Sequence, residues 1–155
     1  MSYVVTGLPV EPFQSLFGLS DAALAERGII RRTATSKPGF PCRITLEDAE
    51  PGDSLLLLNH ESHGADTPYR SSYAIFINEK AQARARTVDT LPSVLRNRPI
   101  ALRIFNAEGM LIGADLARDA DLDAAIRRAF DNEQTAYIHA HNAAHGCYAA
   151  QIDRN

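Results

Sequence analysis

Apolar and polar residues alternate along most of this chain with a period of two, in short runs bounded by Gly, Pro, Asn and Asp, which is the signature of strands. Tyr3-Val-Val-Thr6, Ile29 to Thr33, Cys42 to Leu46, Ser54 to Leu58 and Ser71 to Ile77 read in this way. In the third run Cys42, Ile44 and Leu46 share one face while Arg43 and Thr45 take the other, and the Pro51-Gly52 turn makes it a hairpin partner or neighbour of the fourth. Asn59 to Pro68, with His60, Glu61, His63 and Asp66, reads as a polar loop long enough to cover a cleft. Ile100 to Phe105 and Met110 to Ala114 flank Asn106-Ala-Glu-Gly109, where the glycine suits a hairpin turn. Thr135 to His141 and Cys147 to Ile152 form a terminal hairpin around Asn142 to Gly146.

Helical spacing is confined to a few places. Ser20 precedes Asp21 to Arg27 and a glycine stop at Gly28, which gives a capped short helix. Asp119 to Asp131 sets Leu122, Ile126 and Phe130 on one face, with acidic residues in its first turn. Leu91 to Arg96 predicts a brief helix, and Pro9 to Phe17 a Pro-punctuated connection with room for one helical turn. The pattern is that of an α+β fold, a single domain over 1–155. Its core is mainly antiparallel sheet built from hairpins, with two or three short helices packed on it.

Composition narrows the partners. A length of 155 residues suits one domain, and 45% apolar with 23% charged residues predicts a packed core. A formal charge of -3 supplies no positive field for nucleic acid. Arg84, Arg86, Arg96 and Arg98 form a basic stretch without interleaved aromatics, which reads as solvated surface. No apolar run approaches the ~20 residues of a membrane span and the N-terminus carries no signal-peptide pattern, so a cytoplasmic protein with reduced thiols at Cys42 and Cys147 is expected.

Reactive groups concentrate near the C-terminus, where His139, His141, His145 and Cys147 fall within nine residues. A hairpin turn over Asn142 to Gly146 would set Cys147 opposite His141, a thiol beside an imidazole. An ordinary structural role competes with this: Cys147 as a small buried strand residue and His141 as partner to a loop carbonyl. A metal held by His139 and His141 with His145 or Cys147 fits the spacing. The acidic ligand that would follow a His-x-His pair and any His-Glu-x-x-His helix are absent, so no metal or cofactor is expected. Arg43 beside Cys42, and Tyr69-Arg70 before two serines, suggest recognition of a carboxylate or phosphate.

Pro41-Cys-Arg43, Leu46-Glu-Asp-Ala-Glu-Pro-Gly52, Thr67-Pro-Tyr-Arg-Ser71, Ala74-Ile-Phe76 and His141-Asn-Ala143 through Gly146-Cys-Tyr-Ala149 resemble, in order and spacing, the bacterial family called domain of unknown function 1203 (DUF1203). The resemblance covers most of the chain and implies a domain that stands alone in small bacterial proteins. It brings no activity with it, and it leaves His139 and His145 outside the matching blocks. The expectation is therefore a small anionic ligand held by Arg43 and Arg70, with Tyr69, Asn142 and Cys42 around it. The rivals are a thiol enzyme with Cys147 as nucleophile and His141 as base, and a protein-interaction module or homodimer face.

Overall fold

Backbone pairing sorts the strands into two sheets. In the computed structural model, which describes all 155 residues, the strands are β1 (Tyr3–Thr6), β2 (Ile30–Thr33), β3 (Ser54–His63), β4 (Ser71–Asn78), β5 (Arg86–Val88), β6 (Ile100–Phe105), β7 (Leu111–Ala117), β8 (Tyr137–Asn142) and β9 (Tyr148–Arg154). A large sheet has the order β5-β1-β9-β8-β6-β7 and a small one the order β2-β3-β4, with every strand pair antiparallel. Three helices accompany them: α1 (Glu11–Gln14), α2 (Asp21–Ala25) and α3 (Ala120–Asp131). The α+β class and the hairpin construction are as the pattern predicts, and no helix is long and apolar enough to cross a membrane.

Local signals operate as expected at several ends. The Ser20 hydroxyl accepts from the Ala23 amide, and Gly28 takes a positive φ of 70° that closes the segment after α2. Gly109, at φ 79°, turns β6 into β7, while the Asn106 side chain accepts from the amides of Glu108 and Met110. On α3 the spacing of Leu122, Ala125, Ile126 and Phe130 presses one face onto Ile100, Leu102, Ile138 and Ile152 of the large sheet. A second core gathers Phe13, Leu24, Cys42, Ile44, Leu56 and Ile77 around the small sheet.

Two expectations need correction. The segment Cys42 to Leu46 is a turn instead of a strand: the Leu46 amide donates to Cys42 O at 3.0 Å, and Leu46 has a φ of 52°. It pairs with no part of β3. Its polar backbone groups are divided among distant segments, with Arg43 N donating to Phe76 O, Leu8 N to Arg43 O and Ala85 N to Ile44 O. The turn sends Cys42 and Ile44 into one core and Leu46 into the other. Second, β3 continues through Asn59 to His63, where a loop is expected, because β4 supplies partners as far as His63↔Ser71 across a bulge. The basic stretch is exposed at Arg84, Arg86 and Arg96, as a solvated surface should be: Arg86 lies in β5 beside β1, and the Arg84 Nε donates to Gly7 O at 2.9 Å.

The strand extension explains how the two sheets meet. His60, His63 and Tyr73 from the small sheet pack against Phe105, Tyr137, His139, His141 and Tyr148 of the large one. His63 stacks on Phe105 with centroids 4.2 Å apart, and its Nε2 lies 2.8 Å from the Tyr137 hydroxyl. The His60 and His63 rings pack as flat surfaces against the large sheet while Asn59 and Glu61 face solvent, which is why a sequence rich in polar letters here still forms strand.

Burial, together with the neighbouring His141 and His63, pushes the His139 pKa down to about 3. The same desolvation lowers His60, His63 and His141. A base held neutral by folding binds fewer protons in the native than in the unfolded chain, so stability falls as the pH drops below the unfolded histidine value of about 6.5. The urea midpoint, followed from about pH 7.5 to 5, will decline in the wild type, His139 alone contributing up to about 1.4 kcal/mol per pH unit, and His139→Gln will decline less steeply. That window lies above the titration of Glu79 and Asp123, whose carboxyls are held low by Arg31 and Arg127 respectively. An unchanged slope in His139→Gln would show that this ring carries no linkage.

A Cβ on Gly7 would lie 2.0 Å from Ile44 O, with backbone on both sides of the contact. Gly7→Ala must push β1 and the 42–46 turn apart and is expected to lower stability by about 1–3 kcal/mol in chemical denaturation.

Candidate functional site

Arg43 is the residue around which the site is built. Its side chain is 3% exposed, and its guanidinium donates through Nε to Tyr148 O (2.8 Å), through Nη1 to Pro41 O (2.9 Å) and through Nη2 to the Cys147 sulfur (3.1 Å). Three of five N–H donors are thus used by the protein, leaving one on each terminal nitrogen. Desolvation lowers the Arg43 pKa, opposed by the Cys147 sulfur, yet a guanidinium remains charged at neutral pH. No carboxylate forms an ion pair with it, so a buried positive charge lacks a full counter-charge.

The terminal hairpin supplies the other wall. Its register places Tyr148 opposite His141, because a bulge follows Ala140, and the expected Cys147–His141 pairing does not form. Gly146 (φ 78°) shapes the turn, and the His141 Nδ1 contacts Gly146 O at 2.9 Å. The ring packs edge-on to Tyr73 and Tyr148, between the sheets. Cys147 instead meets Asn142, whose Nδ2 donates to its sulfur at 3.4 Å, while the Asn142 amide donates to Cys147 O.

Arg43, Asn142 and Cys147 line one cavity of about 870 Å³. Its other walls come from Lys37 to Pro41, Phe76 on β4, and the run Arg96 to Pro99 that leads into β6. The charged lining is predominantly cationic: Lys37, Arg43, Arg96 and Arg98 against the single carboxylate of Asp48. Arg98 is bonded to that carboxylate at 3.1 Å, and Lys37 pairs with Glu50 outside the cavity. Phe40 and Phe76, tilted at 5.3 Å between centroids, add an apolar surface.

Three of the expected ligand-binding positions lie elsewhere. Tyr69 and Arg70 do not line the cavity, because the β3–β4 connection docks on the β6–β7 turn through Thr67 Oγ1 to Gly109 O (3.2 Å). That turn adjoins the Tyr137 end of β8, whereas Asn142 is at the other end, a strand length of about 17 Å away. Arg70 lies at the surface, paired with Glu61. Cys42 faces the second core, its sulfur accepting from the Asn78 amide at 3.3 Å. Arg96 and Arg98 occupy the place foreseen for Arg70. The signal for them is Pro99, one residue before the strand that pairs with β8, which brings Pro99 O to the Ala143 amide. No group of three or more His, Cys, Asp or Glu side chains is arranged to hold a metal ion.

Removing the guanidinium takes away the donors it supplies to Tyr148 O and Pro41 O at the seam between the sheets. Arg43→Met is expected to cost about 2–4 kcal/mol in urea denaturation, since the lost charge-assisted bonds outweigh relief from burying a cation. Arg43→Lys should recover less than half of that, one ammonium being unable to reproduce a planar fork.

No curated protein and no solved structure matches the chain. The blocks that meet at the cavity, from Pro41-Cys-Arg43 to Gly146-Cys-Tyr148, all fall in the segment matched by one family. The chain belongs to the family described as Protein of unknown function (DUF1203), which matches residues 39–154 of its 155.

Proposed function

We propose that this protein binds a small organic anion, a carboxylate or phosphate with an apolar body, in the cavity between the 37–41 segment, the 96–99 segment and the terminal hairpin. The observation that carries this reading is Arg43, a buried cation at the cavity wall with no carboxylate partner and two N–H donors to spare. An uncompensated buried charge is costly, and an incoming anion would offset that cost while excluding water. Arg96 and Arg98 provide longer-range attraction at the rim, Asn142 an orienting amide, and Phe40 and Phe76 the surface for the ligand's body. The anion-binding role expected of Arg70 passes in this reading to Arg98, because Arg70 lies outside the cavity.

Calorimetric titration with phenyl phosphate, benzoate, inorganic phosphate and benzyl alcohol tests the reading. Phenyl phosphate and benzoate will bind more tightly than inorganic phosphate, and benzyl alcohol will not bind measurably. Arg98→Glu will weaken phenyl phosphate at least tenfold, about 1.4 kcal/mol. Equal binding of the alcohol and the anions, or no loss in Arg98→Glu, would overturn it.

A further inference from the structure

The sulfur of Cys147 lies in the wall of the same cavity, where it accepts from the Arg43 guanidinium and from the Asn142 amide. It is partly exposed, unlike Cys42, which is 1% exposed and sits in an apolar core. A thiolate accepts such donors more strongly than a thiol does, and the thiolate is the nucleophile of sulfur chemistry. The surroundings also limit what that nucleophile can do. No imidazole is bonded to the sulfur, His141 being turned to Gly146 O and packed between the sheets. Acyl transfer, which needs a positioned base and acid, is poorly served. Thiol–disulfide exchange needs a thiolate, access and a leaving thiolate, with no general base.

We infer that Cys147 is a modification site that forms a mixed disulfide with a small carboxylate-bearing disulfide drawn into the cation-lined cavity. The inference rests on the anion-binding reading of that cavity. Beside the cysteine stands Arg43, a 3% exposed cation without a carboxylate partner and with one N–H unused on each terminal nitrogen, in the wall of the same space. In the exchange, the Cys147 thiol releases its proton to solvent and the thiolate attacks one sulfur of the disulfide R–S–S–R. The Sγ–S bond forms as the S–S bond breaks, and the departing R–S⁻ takes a proton from water. Cys147 is oxidised by one electron equivalent and the departing sulfur is reduced by one, so the disulfide is the only oxidant required. The attached R group then fills the cavity, which makes modification and anion binding mutually exclusive.

The test uses the full-length protein with oxidised glutathione as the anionic disulfide and 2-hydroxyethyl disulfide as the neutral comparator, followed by intact mass and peptide mapping. One glutathionyl adduct is expected, at Cys147, formed in Cys42→Ser and absent in Cys147→Ser. The rate advantage of glutathione disulfide over the neutral disulfide should fall at least fivefold in Arg98→Glu. Adduct at Cys42 instead, or the same rate ratio in Arg98→Glu and wild type, would overturn the inference. Titration of Cys147→Ser with phenyl phosphate separates the two readings. Binding retained there while wild type yields no Cys147 adduct removes only the modification site, whereas absence of binding in both proteins removes the cavity's anion role as well.

Discussion

The position of Arg43 is the constraint on which the rest of the architecture depends. Its backbone amide is bonded to β4 of the small sheet, and its guanidinium to the first residue of β9 in the large sheet. A single residue therefore joins the two sheets with directional bonds, and the turn that carries it delivers Cys42 and Ile44 to one core and Leu46 to the other. Gly7 has no side chain because β1 passes against this turn's carbonyls with no space for a carbon. A buried guanidinium is an unfavourable element in isolation, and only the satisfaction of its donors at the seam makes it tolerable.

The remainder of the seam is aromatic and imidazole packing. The two larger hydrophobic cores lie apart, one under α3 and one around the small sheet. The layer of His60, His63, His139, His141, Tyr73, Tyr137, Tyr148 and Phe105 is what closes the space between the sheets. The rings are held neutral by desolvation, so their contribution resembles that of apolar side chains at neutral pH and is lost when acid favours the charged form. This places the conspicuous histidines at 139 and 141 in the packing between the sheets, and leaves Asn142, His145 and Cys147 of the hairpin lining the cavity.

Structure and function meet because the cavity opens at the end of this seam. The fork that joins the sheets also lines the cavity, so on the proposed reading a ligand there would meet a group already fixed on three sides. Such preorganisation lowers the entropy lost on binding. On the proposed reading stability is tied to occupancy, since an anion that completed the charge balance of Arg43 would stabilise the folded chain.

The sequence by itself determined the local elements: the Ser20 cap and Gly28 stop of α2, the apolar face of α3, the Asn106–Gly109 turn and the terminal hairpin, each set by interactions within a few residues. It also marked Arg43, Asn142 and Cys147, and it carried the family through its ordered blocks. Only the tertiary structure decided that Cys42 to Leu46 is a turn, because three distant segments share its backbone bonds, and that the polar Asn59 to His63 is strand, because β4 and the rings of β8 and β9 cover it. The register sets Tyr148 opposite His141 and Cys147 beside Asn142, and a one-residue shift of register exchanges cross-strand neighbours without leaving a trace in composition. The replacement of Arg70 by Arg98 at the cavity has the same origin. Both arginines are equally plausible by residue type, and only the pairing of β6 with β8, together with docking of the β3–β4 loop at the far end of that pair, decides which one reaches the site.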